Sequence, residues 1–431
     1  MRWQWFYIIF FIPMLSSCLE SPDMTTGIVN GKEKPTVMTG PSVPFPDDGI
    51  LLFQGEITGT GKDEKVEKGF YWSTVSNNPS SNDNKMSVSD ANANAFQYEL
   101  KGAAGNTTYY WRAYAENSFG RDSGEVRSYQ TPPIWTPRRI FPPESRGRGG
   151  IFLLADRIYM VCGVKSPSAE AFVSDTWEYS IAPNDWSTAD SISFPGEKRR
   201  YPVVFTIENR AFVGTGSLPS GIPSKDFYQF NADSRKWQEV ATPDDFEART
   251  QAVAFSLNGK GYVVGGYSAN IVNLNDVWQY TYSDADGYWK KMNNFPAGFY
   301  GGISISNNSR AFVGFSDVSE FRRILYEYNE KDDSWTVFTT LPNDTKEIYS
   351  GVIIQNTIYI VDKDNIIWAC DMSDETKTWK EKTRLSDVFL IDPPKIEGGF
   401  QNLLTTGNSN SIYVGLGYNK YLYEYRPLWD N

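Results

Sequence analysis

One order of residues returns six times along the C-terminal part of this 431-residue chain: a tight apolar hairpin strand, an aromatic strand, then a lone tryptophan. It is plainest in Gly261–Gly266 (GYVVGG), Asp276–Tyr280 (DVWQY) and Trp289. The same order recurs in Ile158–Gly163, Asp175–Tyr179 and Trp186, and in Ala211–Gly216, Asp226–Tyr228 and Trp237. Three further copies are Ala311–Gly314 with Tyr326–Tyr328 and Trp335, Ile358–Val361 with Trp368 and Trp379, and Ile412–Gly415 with Tyr423–Tyr425 and Trp429. The closing tryptophans fall 44 to 52 residues apart. A unit of that size cannot bury its apolar face alone, so the copies must stack on one another.

Short strands, a glycine pair and a period near 50 residues resemble the kelch repeat, whose fold is a β-propeller. The resemblance covers residues 133–431 and implies six blades. The sixth copy ends two residues after Trp429, too early for an outer strand. Trp135 lies 51 residues before Trp186, the spacing of a closing tryptophan. The segment Trp135–Phe141 is therefore expected to supply the missing strand and close the ring, which removes an open edge. The expected fold class is all-β: a fibronectin-III-like β-sandwich followed by a six-bladed kelch β-propeller closed by an N-terminal strand.

Ahead of the repeats, residues 1–18 read as an export signal: Arg2, the apolar run Trp3–Leu15, then Leu-Ser-Ser-Cys ending at Cys18. That ending resembles a bacterial lipobox, which implies a diacylated Cys18, an envelope location as an outer-membrane lipoprotein, and a surface-exposed position as one option. Residues 19–34 are polar and aperiodic, a tether. Residues 35–132 carry strand patterns, and Thr107–Asn117 resembles a strand of fibronectin type III domains. Alternation there expects Tyr109, Trp111 and Ala113 on a buried face, with Tyr110, Arg112 and Tyr114 on the open one.

Composition narrows the chemistry. The chain has no histidine, which removes imidazole-based triads and His-ligated metals, including the copper-radical oxidases known among kelch propellers. No metal or cofactor motif stands out. A formal charge of −11 disfavours nucleic acid as a partner. Besides Cys18 only Cys162 and Cys370 remain, in different strand types, and these are expected as buried free thiols. A monomer is expected.

Aligned on their second strands, the blades place Arg146, Arg199 and Arg249 at one position entering the first strand, with Phe299 and Lys346 taking it in blades four and five. The alignment slips in blade six, where Lys395 or Glu397 is nearest. Such a set, with Tyr300, Tyr267 and Phe321 as rim aromatics, would fit a glycan or an acidic peptide at the axial mouth. Equally open is structural pairing of the arginines with Asp175, Asp226 and Asp276. The leading expectation is ligand binding at the mouth by Arg146, Arg199, Arg249, Phe299, Tyr300, Lys346 and Glu397, without catalysis. The alternatives are a docking or adhesion propeller, and a sugar enzyme resembling the kelch-type N-acetylneuraminate epimerases. In the latter, Glu397 or Glu347 would do the acid–base work near the arginines.

Overall fold

The computed structural model describes residues 32–41, 43–45, 49–62, 65–89, 93–143, 146–165, 171–189, 192–284, 287–343, 345, 347–384, 402–405, 411–416 and 420–430. The expected signal segment, with Cys18, and the positions Lys346, Lys395 and Glu397 lie outside them. Among the described residues no helix is long and apolar enough to cross a membrane. Two compact units emerge, one built from Leu52–Glu99 and Tyr109–Tyr129 with neighbouring chain, the other containing Gln130 onward.

The first unit holds two antiparallel sheets. One contains Thr36–Thr39, Ile50–Gly59 and Ala95–Lys101; the other contains Asn84–Ser87, Glu67–Ser73, Thr108–Asn117, Gly120–Ser123 and Arg127–Gln130. Phe53 of the first sheet stacks on Trp111 of the second at 4.8 Å and lies 5.8 Å from Phe70, so the buried faces share one aromatic core. Tyr109, Trp111 and Ala113 are buried, as the alternation expects. Tyr114 departs from it and is also buried, because its ring stacks on Tyr71 at 4.5 Å and its hydroxyl bonds Glu67 and Ser87.

The second unit repeats a four-stranded antiparallel sheet as a β-propeller does. Blade one runs Gly150–Leu154, Arg157–Val161, Thr176–Ser180 and Asp185–Thr188; blade two Val203–Ile207, Arg210–Gly214, Phe227–Asn231 and Lys236–Val240. Blade three runs Val253–Leu257, Lys260–Val264, Val277–Thr281 and Tyr288–Met292; blade four Ile303–Ser306, Ala311–Gly314, Ile324–Asn329 and Ser334–Thr340. Blade five runs Ile348–Ile354, Thr357–Asp362, Ile366–Asp371 and Trp379–Arg384. A further sheet joins Asn402–Thr405, Ile412–Gly415 and Leu422–Tyr425 to Trp135–Pro137. In it Trp135 pairs with Tyr425, the two rings stacked 4.4 Å apart.

First strands touch first strands from each sheet to the next, and the last touches the first, so these strands surround an axis. Second strands are covered on both faces by neighbouring sheets, which is why they read as unbroken apolar runs rather than alternating ones. The core is correspondingly a set of clusters between consecutive sheets, such as Phe205, Phe212, Val263 and Tyr280 between blades two and three. The recurring tryptophan has a definite task. In blades one to three its ring packs on the aromatic residue opposite (Trp289 on Tyr280, 4.9 Å), and its indole N–H donates to a backbone carbonyl before the blade. These bonds run from Trp186 to Arg139 (2.9 Å), Trp237 to Ile192 (2.8 Å) and Trp289 to Ala241 (3.0 Å).

Candidate functional site

The chain approaches each first strand through a short segment that begins at Arg146, Arg199, Arg249 or Phe299. The three arginines do not present their guanidinium groups to solvent. Arg199 and Arg249 are wholly buried and Arg146 is 2% exposed. Each forks onto the aspartate that opens the third strand of its own blade. Arg146 donates to both Asp175 oxygens (2.8 and 2.7 Å) and Arg249 to those of Asp276 (2.6 and 2.8 Å). Arg199 makes the same fork to Asp226. Arg199 and Arg249 also donate to the backbone carbonyls of Thr215 and Gly265, and lie over Phe194 and Phe246. In each aspartate burial pushes the carboxyl pKa up, but the guanidinium's hydrogen bonds and charge outweigh it, leaving the value below 3.8.

The expectation that these arginines contact a ligand is therefore corrected: they brace the loop between second and third strands. Phe299 is corrected likewise. It is fully buried against Phe295 at 5.2 Å, in a cluster that Ile324 also joins. Blade four replaces the whole ion pair by an apolar one, Phe299 with Ile324. Phe321 packs half-buried against the same cluster.

The two residues after each of these positions reach the axis. Arg148, Tyr201, Gln251 and Gly301 all adopt left-handed backbone conformations, with φ between 52° and 59°. This swings the chain from the buried arginine into the first strand. The Tyr201 N–H donates to the Arg148 carbonyl (2.7 Å) and the Gly301 N–H to that of Gln251 (2.9 Å), tying neighbouring blades together at the rim. Gly301 leaves room for Asp317, because a Cβ there would sit 2.2 Å from its carboxylate oxygen unless that side chain moved.

The mouth so formed is electrically divided. On one side Arg148 lies over the Tyr201 ring (5.4 Å), and Arg200 lies over Phe172 and Tyr201 (5.8 and 5.9 Å). On the other stand Asp317, Glu347 and Asp364, with Lys363 3.8 Å from Glu347. That exposed pair contributes well under ~1 kcal/mol. Tyr267 and Tyr300 meet edge to face at 5.6 Å, both half-buried. Burial raises the Tyr201 hydroxyl pKa, Arg148 and Arg200 draw it back, and Tyr267 and Asp317 add to it, so the two walls share one field. Asp317 retains solvent contact, yet the surrounding walls displace enough water to lift its carboxyl above 3.8, and Glu347 adds a like charge while Arg322 opposes. Tyr349 is pushed up to about 12, first by burial and then by Glu347, Asp362 and Asp364.

Of the sequence-expected set, Tyr300 and Tyr267 are at the mouth, as is Glu347, the alternative candidate acid. Arg148, Arg200, Tyr201 and Asp317 escape the sequence pattern. Their positions vary from blade to blade, and that variation is the available signal, since a ring of equivalent frames acquires a specific site only where the copies differ. Among the described residues no cluster of His, Cys, Asp and Glu has metal-holding geometry.

No protein-family model matches the chain. It is similar to the N-acetylneuraminate epimerase of Pasteurella multocida (strain Pm70), 35% identical over 91 residues, which is 20% of this chain and 22% of that protein. The N-acetylneuraminate epimerases of Haemophilus influenzae strains PittEE and 86-028NP are 32% identical over 123 residues, 27% of this chain and 31% of theirs. The matched stretch thus spans less than a third of these relatives' length. The solved structure of YjhT aligns over 66% of this chain and 95% of its own, with 13% identity and a TM-score of 0.49.

Proposed function

We propose that this is an envelope lipoprotein, anchored through Cys18 and spaced by a fibronectin-III-like domain, whose six-bladed kelch-type propeller binds an acidic sugar at its axial mouth. The observation that carries the reading is the divided mouth. Arg148 and Arg200, each steadied over an aromatic ring, face the ligand's carboxylate. Tyr267 and Tyr300 offer ring surface to the sugar, and Asp317 and Glu347 accept from its hydroxyls. The similarity to epimerases of N-acetylneuraminate, a carboxylated sugar, supports the same ligand class. The test is glycan-array binding by the wild type and by Arg148→Ala/Arg200→Ala. Salt-sensitive binding to acidic glycans that the double variant loses supports the proposal. Unchanged binding by the variant, or none by the wild type, refutes it and favours protein docking.

The raised pKa of Asp317, opposite two arginines, favours a second reading in which the site also moves a proton on the bound sugar. Acceleration of N-acetylneuraminate anomer exchange, followed by NMR and lost in Asp317→Asn, would support it; no acceleration would leave binding alone.

A further inference from the structure

The loops that follow the second strands of blades two and three have the same fold. In blade two the N–H of Leu218 donates to the Ile222 carbonyl (3.0 Å) and that of Gly221 to the Leu218 carbonyl (2.8 Å). In blade three the N–H of Ser268 donates to the Val272 carbonyl (3.1 Å) and that of Ile271 to the Ser268 carbonyl (3.0 Å). Gly221 and Ile271 thus occupy one position, and both have positive φ, 83° and 59°. Glycine suits it. Isoleucine does not, because a β-branched side chain in the left-handed region is a genuine outlier.

Among the described residues no packing around Ile271 is shown to offset that strain. Thr215, also β-branched and at φ 58°, is buried, and its carbonyl receives a guanidinium hydrogen bond. Ile271 instead is 81% exposed, Val272 beside it 54%, and Ile222 in the neighbouring blade 59%. Three branched apolar side chains therefore stand at the tips of two adjacent loops on the mouth side. The blade-three loop springs from Tyr267, whose backbone bridges Thr250 on one flank and Asn273 on the other. Ile271 and Val272 thus lie four and five residues beyond Tyr267 of the mouth, on the same loop.

We infer that Ile271 and Val272, with Ile222, form an outer subsite of the mouth that grips an acyl or methyl substituent on an acidic oligosaccharide seated there. Resting on the acidic-sugar reading above, it extends that site outward over blades two and three. The strained isoleucine is retained because the bound ligand covers it, the pattern by which local strain marks functional positions.

The experiment compares the full chain with Ile271→Gly, Ile271→Asn and Val272→Ser, on matched acidic oligosaccharides with and without N-acetyl groups. Glycine and asparagine accept the backbone conformation, so both variants should melt at the wild-type temperature or about 1–3 °C higher. They should bind the N-acetylated oligosaccharide about tenfold more weakly, as removal of a partly covered isoleucine implies, and lose preference over the de-N-acetylated partner. Affinity and preference within twofold of wild type would overturn the subsite, as would a marked fall in melting temperature, which would make Ile271 a structural plug. If the Ile271 variants bind normally while Arg148→Ala/Arg200→Ala does not, only the subsite fails. If the wild type binds acidic peptides and no oligosaccharide, both fail.

Discussion

Replacing Arg249 by alanine separates a bracing role from a ligand-binding one. Arg249 is wholly buried, and the side chain of its partner Asp276 is only 15% exposed. The substitution strands a buried carboxylate and removes the donor from the carbonyls of Gly265 and Glu247. Breaking a buried pair in this way costs about 3–5 kcal/mol, or a melting-temperature loss on the order of 10 °C. Urea titration followed by tryptophan fluorescence would measure it. The three pairs form a graded series. Asp226 and Asp175 are more open, at 31% and 38%, and the guanidinium-to-ring distance lengthens from 4.4 Å in Arg249 to 4.8 Å in Arg199 and 5.7 Å in Arg146. The cost should fall in that order. Blade four supplies an internal control, since Phe299 and Ile324 already do the job with apolar groups. The double change Arg249→Phe/Asp276→Ile should thus cost less than Arg249→Ala alone. A loss below about 1 kcal/mol for Arg249→Ala, or a reversed order, would refute the bracing argument.

Stability should drop on acidification below pH 3.8. Asp175, Asp226 and Asp276 have folded pKa values below their ordinary one, so their contribution is present above 3.8 and disappears as pH falls through the lowered values; urea midpoints from pH 6 to pH 3 would show it. Gly261→Ala should destabilise by about 1–3 kcal/mol, because the new Cβ would lie 2.1 Å from the Phe205 ring of the neighbouring blade; a melting curve within 1 °C of wild type would contradict this. Burial pushes the Cys162 and Cys370 thiols up to about 12 and 11. Neither should react with iodoacetamide at pH 8 in the folded protein, while both react in urea, as mapped by mass spectrometry.

The strand pattern was legible because its residues have one environment in every blade. A second strand covered on both faces can only be apolar throughout, and the large indole fills the same space in each blade, with a donated N–H added in blades one to three. The spacing of Trp135 from Trp186 carried long-range information for the same reason. The arginines were legible in place but not in role, since a fork of donors suits a ligand carboxylate and an aspartate equally well. The discriminating signal was nonetheless present. Each arginine has its aspartate 27 or 29 residues later, and in blade four both are absent together. A residue kept for a ligand has no reason to vanish in step with an acid of its own blade; a residue kept for that acid must.

The same reasoning locates the mouth one and two positions further on. Successive residues of an extended segment point in opposite directions, and the left-handed turn at Arg148, Tyr201, Gln251 and Gly301 aims the residues just past the brace toward the axis. The brace has to be uniform, because every blade needs its loop held; the rim is freed from that demand. It reads Gly147-Arg148, Arg200-Tyr201, Thr250-Gln251 and Tyr300-Gly301 through blades one to four, different chemistries on one backbone turn, and Glu347-Ile348 in blade five, where Ile348 already belongs to the first strand. Gly301 shows the coupling between them, for its missing side chain is the space in which Asp317 sits. A near-symmetric scaffold thereby holds an asymmetric mouth, with Arg148 and Arg200 over blades one and two, and Asp317, Glu347 and Asp364 beside Arg322 and Lys363 over blades four and five. Transplanting the rim pair Arg200-Tyr201 into blade three should therefore move charge without moving backbone.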